Sequence, residues 1–196
     1  MNYKGAYKVI VPKLLKELDP NLYYHSTSHT MDVIESATKL CEIEGLSKED
    51  TILVKTAALF HDTGMLKTYQ GHEDASIEIA NEILPGYGYT EEQIQKINRM
   101  ILTTKLPQSA TTICEKIICD ADLDYLGRKD FFMISHQLRY EWEVLGLKQT
   151  NLIEWYQSQI LFLEHHEYFT KSAFESRSEG KKKNLILIKE LLNFCH

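Results

Sequence analysis

Apolar residues recur every three or four positions along most of the chain, which is the spacing of an amphipathic α-helix. Few segments alternate apolar and polar residues with a period of two, so the pattern gives little support to strands. Turn-forming stretches such as "DPN" and "PGYGY" separate the periodic segments. The pattern therefore predicts an all-α bundle of about seven to nine helices. The expected helices end near residue 18 and then cover about 25–45, 47–61, 71–84, 90–105, 113–127, 130–146, 150–169 and 172–194.

Individual residues indicate the buried face of one predicted helix and the first residues of two others. Leu14, Leu15 and Leu18 are expected to form the apolar edge of the first helix. Ser47 and Thr90 precede periodic segments and are residues that favour the N-cap of a helix. The sequence therefore predicts where two helices begin as well as which faces are buried.

Length and charge narrow the class of protein. A chain of 196 residues can bury a substantial core, so we expect a single domain over 1–196. The net charge of −6 argues against binding to a nucleic-acid polymer, which needs a broad basic face. No apolar run approaches a membrane span, and the cysteines lack C-x-x-C spacing. We therefore expect a cytoplasmic protein with free thiols and no membrane partner, whose oligomeric state the sequence leaves open.

Four polar residues stand where the helical stripes predict buried positions. His29 lies four residues before its apolar stripe, His61 ends the next stripe, and Asp62 follows it. Asp122 falls within a four-residue repeat of "ICDADLDYLG" that points it inward. Because buried ions are normally paired or bound to metal, these residues favour one shared divalent cation. Two imidazoles and two carboxylates suit Mn, Mg, Fe, Ni, Co or Zn.

Each of these residues also has an ordinary structural explanation when taken singly. A histidine on an apolar face is often a satisfied core residue, and an aspartate in "DAD" can cap a helix or face water. The metal interpretation depends on the combination. In "YHSTSHTMDV", His25 and His29 are four residues apart, so on a helix they would stack one turn apart and address one point.

Three ordered motifs resemble a known family. "YHSTSHTMDV", "ALFHDTG" and "DADLDYLG", within about 24–127, resemble the H…HD…D pattern of the HD-domain superfamily, metal-dependent phosphohydrolases built as α-helical bundles. The first motif is similar to the Y-H-N-x-x-H-x-x-D-V signature of cyclic-nucleotide phosphodiesterases, with Ser26 replacing the asparagine. "HEDAS" at 72–76 is similar to a stretch common in small bacterial members. The helices of 130–194 are expected to pack on this core.

The resemblance implies roles for the residues that match the motifs. His29, His61, Asp62 and Asp122 correspond to the metal ligands, with Asp62 also counted among the catalytic residues. Asp122 is preferred because both the motif register and the apolar stripe select it, which leaves Asp120 and Asp124 as neighbouring or surface acids. His25 corresponds to a general acid that protonates the leaving oxygen; the alternative is that it only caps the helix.

The resemblance to the HD-domain superfamily also bears on the number of metal ions and on which residues bind substrate. Binuclear members carry two further histidines between the HD pair and the last aspartate; His72 offers the first, but Thr103 and Thr104 occupy the later helix. One divalent ion is therefore expected. His72 and Glu73 are interpreted as substrate-binding or ligand-supporting groups, and Lys67 as a phosphate-binding cation.

These expectations combine into a function with named rivals. We expect hydrolysis of a phosphoester in a small molecule, most simply a nucleotide, by a hydroxide that the metal activates. Cyclic nucleotides and nucleoside monophosphates both remain open as substrates. The alternatives are a non-catalytic nucleotide-binding or regulatory HD domain, and a diiron or haem oxygenase, which the missing histidines disfavour.

Overall fold

The structure is a computed structural model that describes residues 1–193, and every regular element in that range is helical. This confirms the predicted all-α class. The last predicted helix was expected to reach Phe194, which lies outside the described residues, as does Cys195. None of the described helices has both the length and the apolar composition needed to cross a bilayer. The α-helices are α1 (Tyr3–Glu17), α2 (Thr27–Ile43), α3 (Lys48–Phe60), α4 (His72–Ile83), α5 (Glu91–Thr103), α6 (Ile113–Asp122), α7 (Phe131–Val144), α8 (Leu152–His165) and α9 (Lys171–Asn193).

The helices form two compact units. The first contains Met1–Asp19 and His25–Asp122, and therefore α1 to α6. The second contains Pro20–Tyr24 and the described residues from Leu123 to Asn193, and therefore α7 to α9. The described residues also contain three 3₁₀ turns: Thr63–Leu66 and Leu84–Tyr87 in the first unit, and Asp124–Gly127 in the second. A single domain over 1–196 stays a prediction.

Helix α3 lies at the centre of the first unit, where it packs against α2, α5 and α6. Its last turn, from Ala57 to Phe60, is apolar on every face and fully buried. A helical turn without a polar side requires cover from other elements all around it. Consequently α3 ends deep inside the unit, and the residues that follow Phe60 begin in a buried environment.

Both predicted N-caps are confirmed. The Ser47 hydroxyl accepts the backbone N–H of Asp50 at 3.0 Å and so caps α3. Thr90 caps α5 in a capping box with Gln93, in which each side chain accepts the other residue's backbone N–H. These short-range signals fix the starts of two of the helices in the first unit.

One detail of the first helix was predicted wrongly. Leu15 is 72% exposed, whereas α1 buries Ala6, Ile10 and Leu14. The buried residues are four apart and share one face, and Leu15 is rotated off that face by one position. Counting apolar residues near the end of a helix therefore overestimated the width of its buried stripe.

The second unit is held together where α9 packs on the 3₁₀ turn Asp124–Gly127. A Cβ atom on Gly180 of α9 would lie 1.9 Å from the carbonyl oxygen of Gly127, so the two backbones are in direct contact. Arg177, one turn earlier, binds both oxygens of Asp124 at 2.7 and 3.1 Å. The Asn184 amide, one turn later, donates to the carbonyl of Leu126 at 2.9 Å.

Replacing Gly180 with alanine should destabilise the protein. Alanine normally favours a helix over glycine by about 1 kcal/mol, but here its methyl group would collide with the Gly127 carbonyl oxygen. Overpacking of this kind costs about 1–3 kcal/mol. We expect Gly180→Ala to lower the free energy of unfolding in denaturant titrations. Gly86→Ala, whose added Cβ meets nothing within 4 Å, is the control; equal effects of the two changes would contradict the packing account.

Candidate metal centre

The first unit brings four polar side chains together from the ends of three helices. His29 lies in the first turn of α2, which the hydroxyl of Ser26 caps by accepting the His29 N–H at 3.4 Å. His61 is the C-cap of α3, Asp62 follows it, and Asp122 is the last residue of α6. Helix ends are suitable places for ligands because the chain turns there and several side chains can converge.

The ligand atoms of these residues are close to one another. The Nε2 atom of His29 is 3.1 Å from Asp122 Oδ1 and 3.4 Å from His61 Nε2. The Nε2 atom of His61 is 3.1 Å from Asp62 Oδ2 and 3.7 Å from Asp122 Oδ1. Asp62 Oδ2 is 3.6 Å from His29 Nε2. The four side chains are between 1% and 15% exposed, so they form a buried cluster.

These distances fit ligands of one divalent ion. Atoms about 2.1 Å from a common ion lie ~3.0 Å apart when their bonds meet at right angles and ~3.4 Å apart at the tetrahedral angle. In addition, Asp62 Oδ2 is buried and has no hydrogen-bond partner among the described residues. An unpartnered carboxylate oxygen is costly to bury, and a cation between it and the imidazoles would remove that cost.

A backbone hydrogen bond sets the protonation of His61. Its Nδ1–H donates to the carbonyl of Ala58 at 2.8 Å, so this nitrogen carries a proton. In the neutral imidazole the Nε2 atom then has a free lone pair, and Nε2 is the atom that faces Asp62 and Asp122. Such a bond to the far ring nitrogen is the usual way in which proteins orient a metal-binding histidine.

Charge couples the two residues of the HD pair. Burial disfavours the His61 imidazolium, but the carboxylate of Asp62 and then that of Asp122 raise the pKa of His61 to about 9. Burial likewise disfavours the Asp62 carboxylate, yet the charge of His61 holds the pKa of Asp62 well below its usual range. Without a metal, a proton on His61 therefore supplies the positive charge that the carboxylates require.

A second group of side chains lies beside the cluster. His72, at the start of α4, directs Nε2 toward Asp62 Oδ1 at 3.4 Å and toward Glu73 Oε1 at 3.7 Å, while its Nδ1–H donates to the Tyr69 carbonyl at 2.9 Å. Burial would lower the pKa of His72, but the contact with Asp62 raises it. The His25 ring centroid is 5.4 Å from that of His72. These groups form one side of the site.

A family model described as "HD domain" matches residues 27–124, which include all four residues of the cluster. The chain belongs to the HD-domain family. Within the matched range, His29, His61 and Asp122 form a group that could hold a metal ion, with ligand atoms within 4.8 Å of one another. Asp62 Oδ2 lies 3.1 Å from His61 Nε2 and 3.6 Å from His29 Nε2, and the four residues follow the H…HD…D order. The predicted superfamily membership is therefore confirmed, and an HD domain is a metal-binding domain whose metal the cluster is suited to hold.

The chain is also similar to individual proteins and solved structures. An uncharacterised protein of Clostridium beijerinckii is 37% identical over 91 residues, which are 44% of this chain and 56% of that protein. This chain thus spans a little over half the length of that curated relative. Crystal structures with the same fold include a predicted HD superfamily hydrolase from an uncultured Thermotogales bacterium, with a TM-score of 0.61, 20% identity and coverage of 97% of this chain and 90% of that one.

Bacillus subtilis YpgQ has a similar fold as well. Its crystal structure matches with a TM-score of 0.68, 18% identity and coverage of 97% of this chain and 96% of that one. The structure of YpgQ in complex with ADP matches with a TM-score of 0.66, 20% identity and coverage of 97% and 95%. At these identities the likeness establishes a shared fold.

The position of His25 relative to α2 differs from the sequence prediction. The prediction placed His25 and His29 on one helical face, but α2 begins at Thr27 after the N-cap Ser26, so His25 lies in the preceding bend. Ser26 also excludes the idea that His25 itself caps the helix. The two ring centroids are nevertheless 6.5 Å apart, because the bend turns His25 back toward the cluster.

Three other predicted residues have different surroundings from those expected. Asp120 and Asp124 were interpreted as neighbouring or surface acids; Asp120 is only 1% exposed, and Asp124 is 7% exposed and bound by Arg177. Lys67 is exposed, and its ammonium group pairs with Glu78 at 3.2 Å, so its contacts do not include the cluster. The predicted phosphate contact of Lys67 therefore has no support in the geometry.

Tyr69 is a member of the site that the sequence did not reveal. Its ring centroid is 5.4 Å from that of His25 and 6.5 Å from that of His72. Tyr69 lies in the loop before α4, where no helical spacing connects it with the motifs. The only sequence signal was that Tyr69 lies three residues before His72. At that separation the Tyr69 carbonyl can accept a hydrogen bond from the His72 side chain.

Metal binding should release a proton and strengthen as pH rises. Because the pKa of His61 is about 9 without metal, this imidazole is charged at neutral pH and must lose its proton before Nε2 can bind an ion. We expect release of about one proton per ion at neutral pH, and an affinity that rises about tenfold per pH unit up to about pH 9. Calorimetric titration of metal-free protein with Mn²⁺ in buffers of different ionisation enthalpy measures both quantities.

The raised pKa of His61 also makes the stability of the metal-free fold depend on pH. A pKa raised from 6.5 to about 9 stabilises the folded state below pH 6.5, and this contribution is lost as the pH rises toward 9. A metal affinity that stays constant across this range would contradict the account of His61.

Proposed function

We propose that this HD-domain protein is a metal-dependent phosphohydrolase that cleaves a phosphoester bond in a small molecule, with a nucleotide as the preferred substrate class. The observation that carries the proposal is the buried convergence of His29, His61, Asp62 and Asp122, including a carboxylate oxygen of Asp62 that lacks any hydrogen-bond partner among the described residues. Two imidazole nitrogens and two carboxylate oxygens hold a divalent ion but do not fill an octahedral shell.

The residues around the cluster divide the remaining tasks. A divalent ion in such a site lowers the pKa of a water molecule and neutralises charge on a phosphoryl group. His29, His61, Asp62 and Asp122 would hold the ion, and Asp62 in addition presents its other oxygen, Oδ1, to His72. His25 lies beside this assembly without a place among the four ligands, so its imidazole is positioned to give a proton to a leaving oxygen.

Phosphate recognition is assigned to the side of the site that contains His72. Its pKa is raised by Asp62, so the imidazole carries positive charge more readily than a free histidine. Both ring nitrogens have partners, so this charge would attract a phosphoryl group without a direct hydrogen bond. Glu73, in contact with His72 and only 7% exposed, keeps that ring oriented. The fold shared with YpgQ, which was crystallised with ADP, supports the choice of nucleotides among phosphoesters.

The proposal predicts hydrolysis that depends on both the metal and Asp62. Purified protein should release phosphate or a nucleoside monophosphate from at least one member of a panel of nucleoside mono- and diphosphates, cyclic nucleotides and p-nitrophenyl esters. The panel is assayed with Mn²⁺, Mg²⁺, Ni²⁺ or Co²⁺. Asp62→Ala should abolish turnover, since it removes a ligand and the contact with His72.

The outcomes of this panel separate the rival functions. Activity that survives Asp62→Ala comes from a contaminant. Tight binding of a nucleotide with no turnover under any metal would contradict the enzyme proposal and favour a regulatory HD domain. Two irons per chain with no hydrolysis would favour an oxygenase.

Replacing His25 should slow the reaction without removing the metal. General-acid catalysis typically contributes about 10²- to 10⁴-fold, so we expect His25→Ala to lose kcat by that order. The loss should be smaller for p-nitrophenyl esters, whose leaving group needs no proton. Metal affinity, measured by calorimetry, should stay close to that of the wild type. His165→Ala, at an exposed histidine of α8, is the control; equal kcat values for the two variants would contradict the role of His25.

A further inference from the structure

Two of the four metal ligands lie on one tight turn. His61 ends α3, Asp62 follows it, and the 3₁₀ turn begins at Thr63, so the segment His61–Gly64 changes direction within four residues. We call this segment the ligand turn. Its backbone conformation determines where the His61 imidazole and the Asp62 carboxylate point, and therefore whether both can reach one ion.

A single hydroxyl group joins the two ends of the ligand turn. Ser76, in the second turn of α4, is 0% exposed. Its Oγ–H donates to the carbonyl of His61 at 2.7 Å, and the same oxygen accepts the backbone N–H of Gly64 at 2.7 Å. The helix end at His61 leaves a carbonyl without a partner in α3, and Ser76 supplies that partner from another helix.

The absence of a side chain at Gly64 permits this arrangement. A Cβ atom at Gly64 would lie 1.9 Å from the carbonyl oxygen of His72 and 2.7 Å from the backbone nitrogen of Ser76. The backbone of the ligand turn therefore rests directly on the first turns of α4. This close approach brings the short side chain of Ser76 within reach of both backbone groups.

Removing the hydroxyl would affect the ligands more than the rest of the fold. The His61 carbonyl and the Gly64 N–H would both be buried without their partner, and such groups tend to shift until they find another. These groups belong to the His61–Asp62 and Thr63–Gly64 peptides, so a search for new partners would rotate the backbone on both sides of the Asp62–Thr63 pair. That rotation would move the carboxylate away from His61 Nε2, now 3.1 Å from Asp62 Oδ2.

We propose that Ser76 is a positioning residue of the metal centre, which fixes the ligand turn so that His61 and Asp62 converge on one ion. The inference rests on the metal site of the proposed function and adds a residue to it. Ser76 does not touch the ion or the substrate; it acts through the backbone of the two ligands. Groups that support metal ligands in this way typically change metal affinity by about 10- to 100-fold when they are removed.

The test compares two buried serines with matched hydrogen bonds. Ser135, in α7, is 2% exposed; its hydroxyl donates to Gln159 at 3.1 Å and accepts the Trp155 indole N–H at 3.1 Å. Metal-free wild type, Ser76→Ala and Ser135→Ala are titrated with Co²⁺. The measurements are the dissociation constant, the visible absorption spectrum of the loaded protein, and the melting temperature of the metal-free protein.

A positioning role and a purely structural role give different results. We expect Ser76→Ala to weaken Co²⁺ binding about 10- to 100-fold and to shift the visible bands, while Ser135→Ala lowers the melting temperature but leaves affinity and spectrum unchanged. Unchanged Co²⁺ affinity and spectrum in Ser76→Ala would overturn the inference alone. A wild type that binds no Co²⁺ would overturn the metal centre, and the proposed function with it.

A measurement on the wild type covers the case in which Ser76→Ala does not fold. If Ser76 holds the ligand turn, the Gly64 amide should be protected from hydrogen exchange in metal-free protein to the same degree as amides in the middle of α3. Two-dimensional NMR of the protein in deuterium oxide follows this amide directly. Exchange at the rate of an exposed loop would overturn the inference.

Discussion

The structure of the first unit depends on how it tolerates two carboxylates and two imidazoles in its interior. Each group is expensive to remove from water, and the cost falls only when opposite charges meet. The ends of α2, α3 and α6 place each imidazole nitrogen 3.1 to 3.7 Å from both carboxylates, so the opposite charges meet in one cluster. The apolar last turn of α3, from Ala57 to Phe60, is fully buried and leads directly into this cluster.

Protons and a divalent ion are alternative solutions to the same electrostatic problem. In metal-free protein the high pKa of His61, about 9, keeps a proton between the carboxylates. Asp62 Oδ2 lies 3.1 Å from His61 Nε2 but makes no well-aligned hydrogen bond with a described residue, so the ion pair satisfies this oxygen only in part. A divalent ion carries twice the charge and can contact all four groups at once. A divalent ion in this cluster would therefore offset the carboxylate charge more fully than a single proton does.

Periodicity predicted the parts of the site that belong to helices. His61 and Asp122 continue four-residue apolar stripes, and His29 begins one, so their inward direction could be read from spacing alone. The same reasoning failed at His25, because α2 begins only after its N-cap, Ser26. His25 therefore lies outside the helix, and the bend before α2 determines where its ring points. Spacing is informative only as far as the helix extends.

Contacts between distant segments left no comparable signal. Asp124 was expected to be either a neighbour of the ligands or a surface acid, yet Arg177, 53 residues away in sequence, binds it. Ser76 is an ordinary small residue of an amphipathic helix until its hydroxyl is seen between the backbone groups of His61 and Gly64. Side chains that bond to backbone do not require a particular partner residue, so no pairing of residue types reveals them.

The central claim is that His29, His61, Asp62 and Asp122 share one ion. Anomalous diffraction from crystals grown with Mn²⁺ tests it most directly. The account predicts one strong peak inside the first unit, about 2.0–2.3 Å from the Nε2 atoms of both histidines and from one oxygen of each aspartate. A peak bound elsewhere, or a well-ordered cluster that remains free of metal at saturating Mn²⁺, would contradict it.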